Sequence, residues 1–541
     1  MAFAATAMML FSCGSDDNIS SGEATGDGSS VKATMGQLAA DGDVFPSSEP
    51  LTRTTLGDQN EIKWVKGDSI SISYGTDNRR FNVSTISEDG TSCTFAGTPL
   101  GDNQNATRYV AVYPYSMKAT FNGTTVSGVT LPYVQNAVAG GFDPACNLMT
   151  ASAAVGSNLQ FKHVCSYFKV KPAFDCAGIT ITATNGEKLA GTFNVTVAED
   201  GTPTVSNISS ESDHVKLVGD IKGGETYYVA VLPGTYSSGI KVLLEKNSAK
   251  LDRNDAAFDW ENSTLTLSSY SRSASSSITT SSAKIKSLGE MTTKNTVESK
   301  KTIDFVYMGD GTANLNANTG RRVLWAKYNL GAASEVEDGD YYAWGETSPK
   351  NDYSKNTYLC LNYYPETLDK SHDAAAANLG YGWHMPSSDE IMYLKEHNIF
   401  VCTSNYKEKS GFLIFPGNGD VKDYQKMGDG KIYRYENGCN PKRKECDESS
   451  VVDYVTKLSP DDNLHMFFVY AGGKDGTGAA THDAVRYWTN SRGKSPLFAL
   501  NIGTELTAYY WGLDGAAFNI WSNYRIRYQG LTIRPVLEVE W

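Results

Sequence analysis

Residues 383–397 read Trp-His-Met-Pro-Ser-Ser-Asp-Glu-Ile-Met-Tyr-Leu-Lys-Glu-His, or WHMPSSDEIMYLKEH. Two histidines, an aspartate and two glutamates lie in this one span. It is either a metal or acid–base site or the start of a helix, and the pattern favours the helix. Ser387 stands where an N-cap belongs, and Glu390, three residues on, completes a capping box. Asp389 and Glu390 in the first turn complement the helix dipole. Pro386 precedes the cap, and Ile391 can pack back against it. Ile391, Leu394 and Lys395 follow the i, i+3, i+4 spacing of a buried stripe. His384 and His397 are too far apart for ligand spacing, and nothing resembles HExxH. A second short helix is predicted over 373–379.

Around these helices the chain reads as strand. It has 541 residues, with 50 Gly and 31 Tyr, so several domains rich in turns and β structure are expected. The net charge of -13 repels nucleic acid, which excludes DNA and RNA as partners. Ile62–Val65 and Ser69–Tyr74 alternate polar and apolar residues, as half-buried strands do. Arg108–Tyr113 and Tyr227–Leu232 are more continuously apolar, which suits inner strands, and Pro114 and Pro233 end them. The Ser- and Thr-rich stretch 268–300 promises little burial and reads as a boundary or loop. After 303, short strands are expected at 323–328, 412–415, 484–488, 497–502 and 531–537, giving an α+β domain. His163, flanked by Phe161 and Val164, reads as a satisfied core histidine. No pair of cysteines forms CxxC, so zinc-ribbon and thioredoxin chemistry lack support. Cys439 and Cys446 bracket a short loop that a disulfide could close.

The first residues, MAFAATAMMLFSC, resemble the apolar part of a secretion signal and end in a sequence similar to a bacterial lipobox, Leu10-Phe11-Ser12-Cys13. That resemblance implies lipidation of Cys13, a lipid anchor in the outer membrane and a cell-surface location. Further on, several phrases resemble the fimbrillin family, the pilus subunits of Bacteroidales-type fimbriae. They are Arg53-Thr54-Thr55 followed by Trp64 to Ile70, Val112-Tyr113-Pro114-Tyr115, Leu131 to Gln135 leading to Gly141-Phe142-Asp143-Pro144, Leu159 to His163, and Val231-Leu232-Pro233-Gly234. The family implies two tandem transthyretin-like β-sandwiches and assembly with other pilin subunits by strand exchange. It also implies proteolytic processing at Arg53 and Thr54, which frees an N-terminal strand.

From 303 onward the ordered motifs resemble the Fibrobacter succinogenes major paralogous domain, which has a C-type-lectin-like or formylglycine-generating-enzyme-like fold. They are Leu324-Trp325-Ala326, Asn329-Leu330-Gly331-Ala332, Gly339 to Glu346, Asp373 to Asn378, Trp383 to Pro386, Tyr487 to Ser491 and Gly530 to Val536. The fold class is therefore mostly β. The expected order is a signal peptide at 1–13, a tether and N-terminal strand at 14–50, sandwiches at 51–170 and 171–289, a linker at 290–302, and a lectin-like domain at 303–541. The oxidase branch of that fold needs reactive cysteines, and only Cys439 and Cys446 lie near, in what looks like an insertion. The lectin calcium triplets are absent. No enzyme activity, cofactor or metal is expected. Aromatic residues crowd 503–529. They form either the domain's own core or a surface for a glycan or a cell-surface protein, with Trp511, Trp521, Tyr524 and Arg525 as the candidate contacts. The reading is a surface fimbrial subunit, most simply a tip adhesin, with a non-polymerising surface lipoprotein as the alternative and a formylglycine-generating-type enzyme as a remote one.

Overall fold

Trp64 stands edge-on to Phe95, Tyr113 and Phe161, with ring centroids 5.1, 5.2 and 5.5 Å away. Around this cluster wraps the first of the protein's sheets. The computed structural model describes residues 30–45, 62–98, 107–308, 322–360, 365–416, 422–426, 432–436, 443–446, 465–482, 485–492, 507–514 and 517–540. The chain is mostly β. The first sheet has eight strands, in the order Leu159–Gln160, Ser30–Thr34, Ser92–Gly97, Arg79–Ile86, Ser69–Ser73, Arg108–Tyr113, Met149–Ala154, Lys162–His163. Its two end strands are joined through Phe161 alone, so the sheet bends round nearly to meet itself. Ile70 and Ile72 point into the enclosed cluster, as the SISIS alternation predicts, but Ser71 and Ser73 are buried as well, so the strand is not the half-buried one expected.

The second unit holds the largest core cluster. One of its sheets runs Tyr227–Val231, Ser166–Pro172, Lys284–Met291, Ala39–Asp43, and another runs Pro203–Ser212, Ala190–Val197, Thr125–Leu131, Thr120–Asn122. The chain interlaces the two units. Residues 120–136 pair with strands of the second, and residues 149–163 return to the first. Arg108–Tyr113 is an inner strand as expected. Tyr227–Val231 instead ends its sheet, although every residue in it is buried. An unbroken apolar run reports burial on both faces, not a place inside the ladder.

The Ser-rich stretch departs from expectation. Thr264–Ala274 is a strand paired on both sides, with Ile240–Lys246 and Val297–Val306. Only alternate positions need to be apolar, and Leu265 and Leu267 supply them. Ser269, Ser271 and Ser273 continue the leucines' face, and Thr264, Thr266, Ser268, Tyr270 and Arg272 stand on the other, so pairing overrides composition. Val297–Val306, which includes residues expected in a linker, then pairs with Arg322–Ala326, and that strand pairs with Val536–Val539. One nine-stranded sheet thus runs from the second unit into the C-terminal head. In the head the two helices are Ala374–Asn378 and Ser388–His397. A six-stranded sheet carries Asn398–Tyr406, Lys409–Pro416 and Met466–Val469, and a three-stranded sheet carries Val485–Trp488, Thr507–Asp514 and Ala517–Ile526. The strand expected at 497–502 lies outside the described residues.

Arg534 ties the head together from inside. It is fully buried and donates to Asn329 Oδ1 at 2.8 Å, Lys327 O and Phe467 O at 2.6 Å each, and Ala326 O at 3.2 Å. Its cation is solvated by carbonyl oxygens in place of water.

A candidate strand-exchange groove and the head

Ser30–Thr34 is the N-terminal element of the described chain, and it sits inside the first sheet. It pairs antiparallel with Ser92–Gly97 over five residues and parallel with Leu159–Gln160. Val31 and Ala33 face inward, 6 % and 1 % exposed, opposite Phe95 and Cys93. Lys32 between them is exposed. At Gly36 the segment turns close against the sheet. A Cβ there would lie 2.5 Å from Phe161 O, so only glycine fits. His163 Nε2 lies 3.1 Å from Gly36 O. Burial pushes the His163 imidazole down to about 4, so its Nε2–H can donate to that carbonyl as a neutral ring.

The same segment then crosses to the second unit. Ala39–Asp43 lies exposed at the edge of the four-stranded sheet, parallel to Lys284–Met291. Lys286 Nζ holds it through Asp41 Oδ2 at 3.0 Å and Asp41 O at 2.9 Å. Phe45, 6 % exposed, plugs into the main core, with the Arg272 guanidinium 4.1 Å from its ring centroid. One extended segment therefore spans both units, anchored by Val31 and Ala33 at one end and Phe45 at the other. Arg53, Thr54 and Cys13 lie outside the described residues, as does Cys439 of the proposed disulfide loop.

In the head, the four candidate ligand residues all fall on the hairpin Thr507–Asp514 and Ala517–Ile526. Its register pairs Trp511 with Ser522, Trp521 with Gly512, Tyr524 with Tyr509 and Arg525 with Ala508. Trp511 and Tyr524 thus occupy one parity of the ladder, and Trp521 and Arg525 the other. The hairpin extends from Val485–Trp488, whose Tyr487 and Trp488 are wholly buried.

The stretch 383–397 starts a helix as its sequence predicts. Ser387 Oγ accepts from Glu390 N at 3.1 Å, and Glu390 Oε2 accepts from Ser387 N at 2.7 Å. Burial opposes the charge of Glu390, but His384 and the Ser387 donors outweigh it and hold the carboxyl below its usual range. The loop before this helix seats the head on the second unit. Ser248 N donates to Tyr381 O at 2.9 Å. Gly380 and Gly382, both at positive φ, press against Glu245 and Asn247, and a Cβ on either would collide. Asn136 and Ser371 exchange side-chain and backbone bonds of 2.9 and 3.0 Å across the same boundary. A cleft of about 480 Å³ opens at this junction, lined in part by Asn247, Trp383, His384, Glu390 and Glu538. The sequence reading missed Glu538, because its approach to His384 depends on a strand pairing between segments far apart in the chain.

No protein-family model matches the chain, and no curated protein matches it. Among solved structures, a Bacteroides uniformis protein assigned to cell adhesion aligns with 15 % identity and a TM-score of 0.25, over 52 % of this chain and 99 % of its own. A fimbrial protein from Bacteroides ovatus aligns over 94 % of this chain and 99 % of its own, with 11 % identity and a TM-score of 0.20. The tip fimbrial protein Mfa3 from Porphyromonas gingivalis, with a C-terminal truncation, aligns over 52 % of this chain and 83 % of its own, with 9 % identity and a TM-score of 0.19.

Proposed function

We propose that the chain is a cell-surface fimbrial subunit that accepts a strand from a neighbouring pilin and stands at the fibre tip as an adhesin. On this reading it is two transthyretin-like sandwiches carrying a C-type-lectin-like head, tethered before assembly by a lipid on Cys13. The observation that carries the reading is the N-terminal segment. Ser30–Thr34 fills a gap between two strands, and the same segment continues to Phe45 in the second core. A cut after Arg53 would leave that segment held by non-covalent contacts alone. Its departure would open unpaired backbone on Ser92–Gly97 and Leu159–Gln160, a template for any extended segment of matching pattern.

The tip position is supported by how Val536–Val539 is engaged. Val536–Val539 pairs with Arg322–Ala326 in the head's own part of the nine-stranded sheet, so that strand is not available to donate. A subunit that holds this strand in its own head suits a fibre tip. The head would then meet a glycan or a surface protein through the Thr507–Ile526 hairpin.

The test is to incubate the full chain with a trypsin-like protease and candidate partner pilins. Cleavage after Arg53, loss of the N-terminal segment and a detergent-resistant complex support the proposal. A chain that is cut but never joins a pilin favours a non-polymerising surface lipoprotein. A glycan array probed with the full chain and with a Trp511→Ala, Trp521→Ala variant tests the head.

A further inference from the structure

Beyond starting a helix, the opening stretch contributes an imidazole and a carboxylate to a cluster that no part of the proposed function uses. His384 and Val536 exchange backbone hydrogen bonds, both 2.9 Å. Glu538, two residues along that strand, falls on the same face of the ladder. Glu390 is fixed at the third position of its helix by the capping box. These three backbone constraints bring His384, Glu390 and Glu538 together, with one ligand atom from each within 4.8 Å of the others.

The capping box uses only one oxygen of Glu390. Oε2 accepts from Ser387 N and from Ser387 Oγ, at 2.7 and 2.9 Å. Oε1 is buried, on a residue only 5 % exposed, and no donor lies within hydrogen-bond reach. Its neighbour is His384 Nε2, 3.6 Å away. A buried carboxylate oxygen left without a donor is costly, and such oxygens are rare. His384 Nδ1 lies 3.3 Å from Gly382 O. When a cation takes the place of the Nε2 proton, Nδ1–H can donate to that carbonyl and Nε2 faces the two carboxylates, the arrangement found behind metal-bound imidazoles.

We propose that His384, Glu390 and Glu538 bind one divalent transition-metal cation of the zinc type at the junction cleft. The donor set argues for that class. One imidazole and two carboxylates suit zinc or manganese, whereas calcium takes oxygen ligands almost alone. Two carboxylates balance the charge of a divalent ion. Ligands about 2.1 Å from a tetrahedral metal stand roughly 3.4 Å apart, so closing the cluster takes a contraction on the order of 1 Å. Lys370 in the cleft and the helix N-terminus both oppose a cation, so micromolar rather than nanomolar affinity is expected. Asp220 and Asp389 also line the cleft, and Lys250 stands 4.0 Å from Asp220. All three ligands belong to the head, so the ion would lock the helix start to the strand Val536–Val539 at the cleft that faces the second unit.

The experiment uses the untagged full chain, stripped with chelator and titrated with zinc by calorimetry, with cobalt as a visible-absorption probe of the same site. One equivalent of zinc should bind, and His384→Ala and Glu538→Gln should each weaken it at least tenfold. Glu538 is half-exposed, so its isosteric change keeps the fold, which far-UV circular dichroism verifies. Absence of one-to-one binding overturns the proposal. Binding that persists undiminished in Glu538→Gln places the metal elsewhere in the chain and overturns it equally.

Discussion

Replacing Phe45 by alanine tests how the N-terminal segment is held. The phenyl ring is buried in the main core and covered by Arg272, while the residues before it, Ala39–Val44, are exposed or only half-buried. Truncating a buried Phe costs about 3 kcal/mol at the low end of the measured range, which suits a site at the segment's end that can partly collapse. In the intact chain that loss is shared with the whole second unit. After a cut at Arg53 it falls on the segment's own hold, and 3 kcal/mol corresponds to about a 100-fold weaker grip. Val31→Ala removes two buried methyl groups, roughly 1.5 kcal/mol, or about tenfold. Lys32→Ala, on an exposed position of the same strand, should change nothing. The assay nicks each variant after Arg53 and follows the release of its N-terminal segment into excess unlabelled peptide of residues 29–53, by fluorescence. If the three variants release the segment at the same rate, the anchors assigned here are wrong. If the nicked segment fails to leave even from Phe45→Ala, the groove is not exchangeable.

Acid should loosen the same region. The folded His163 imidazole titrates near 4 against 6.5 for an ordinary histidine, so the unfolded chain binds the extra proton between those values. Stability from this group is complete above about pH 6.5 and falls by roughly 3 kcal/mol as pH drops to 4, which denaturant midpoints of wild type against His163→Gln should show as a difference confined to that window. Arg534→Leu leaves four carbonyl and amide oxygens without their donor and should cost at least about 3 kcal/mol, seen as a fall of roughly 6–12 °C in the head's melting temperature; an unchanged value would contradict its role. Gly380→Ala forces a left-handed backbone on an L-residue and drives a methyl into Glu245, so faster proteolysis at the head junction is expected, and equal protection in both proteins would argue against a tight seat. Ser387→Ala should cost about 1 kcal/mol through the lost cap, readable as a small shift in denaturant midpoint with no change in slope.

Local signals carried far in this chain. The capping box at Ser387 and Glu390, the short helix beginning after Asp373, and the alternation at Ser69–Ser73 were all legible, because each depends on residues within a turn or two of one another. Lys409–Pro416 and Val485–Trp488 fall where the strand pattern placed them, with ends shifted by a few residues. His163 is the satisfied core histidine its neighbours implied. Composition misled at Thr264–Ala274, where serine served as a small strand residue between two ladders.

What the sequence determined by itself is the mostly β character, the helix starts and the apolar faces, since propensity, capping and periodicity act over short spans. Tertiary structure decided the rest. The chain interlaces its first two units, carries one sheet into the head, inserts Ser30–Thr34 between two distant strands, and sets Glu538 beside His384. Each of these is a choice of partner between segments far apart. A strand's own residues state which face is apolar, but a ladder of backbone hydrogen bonds is nearly blind to side-chain identity, so the partner is fixed only when the whole core closes.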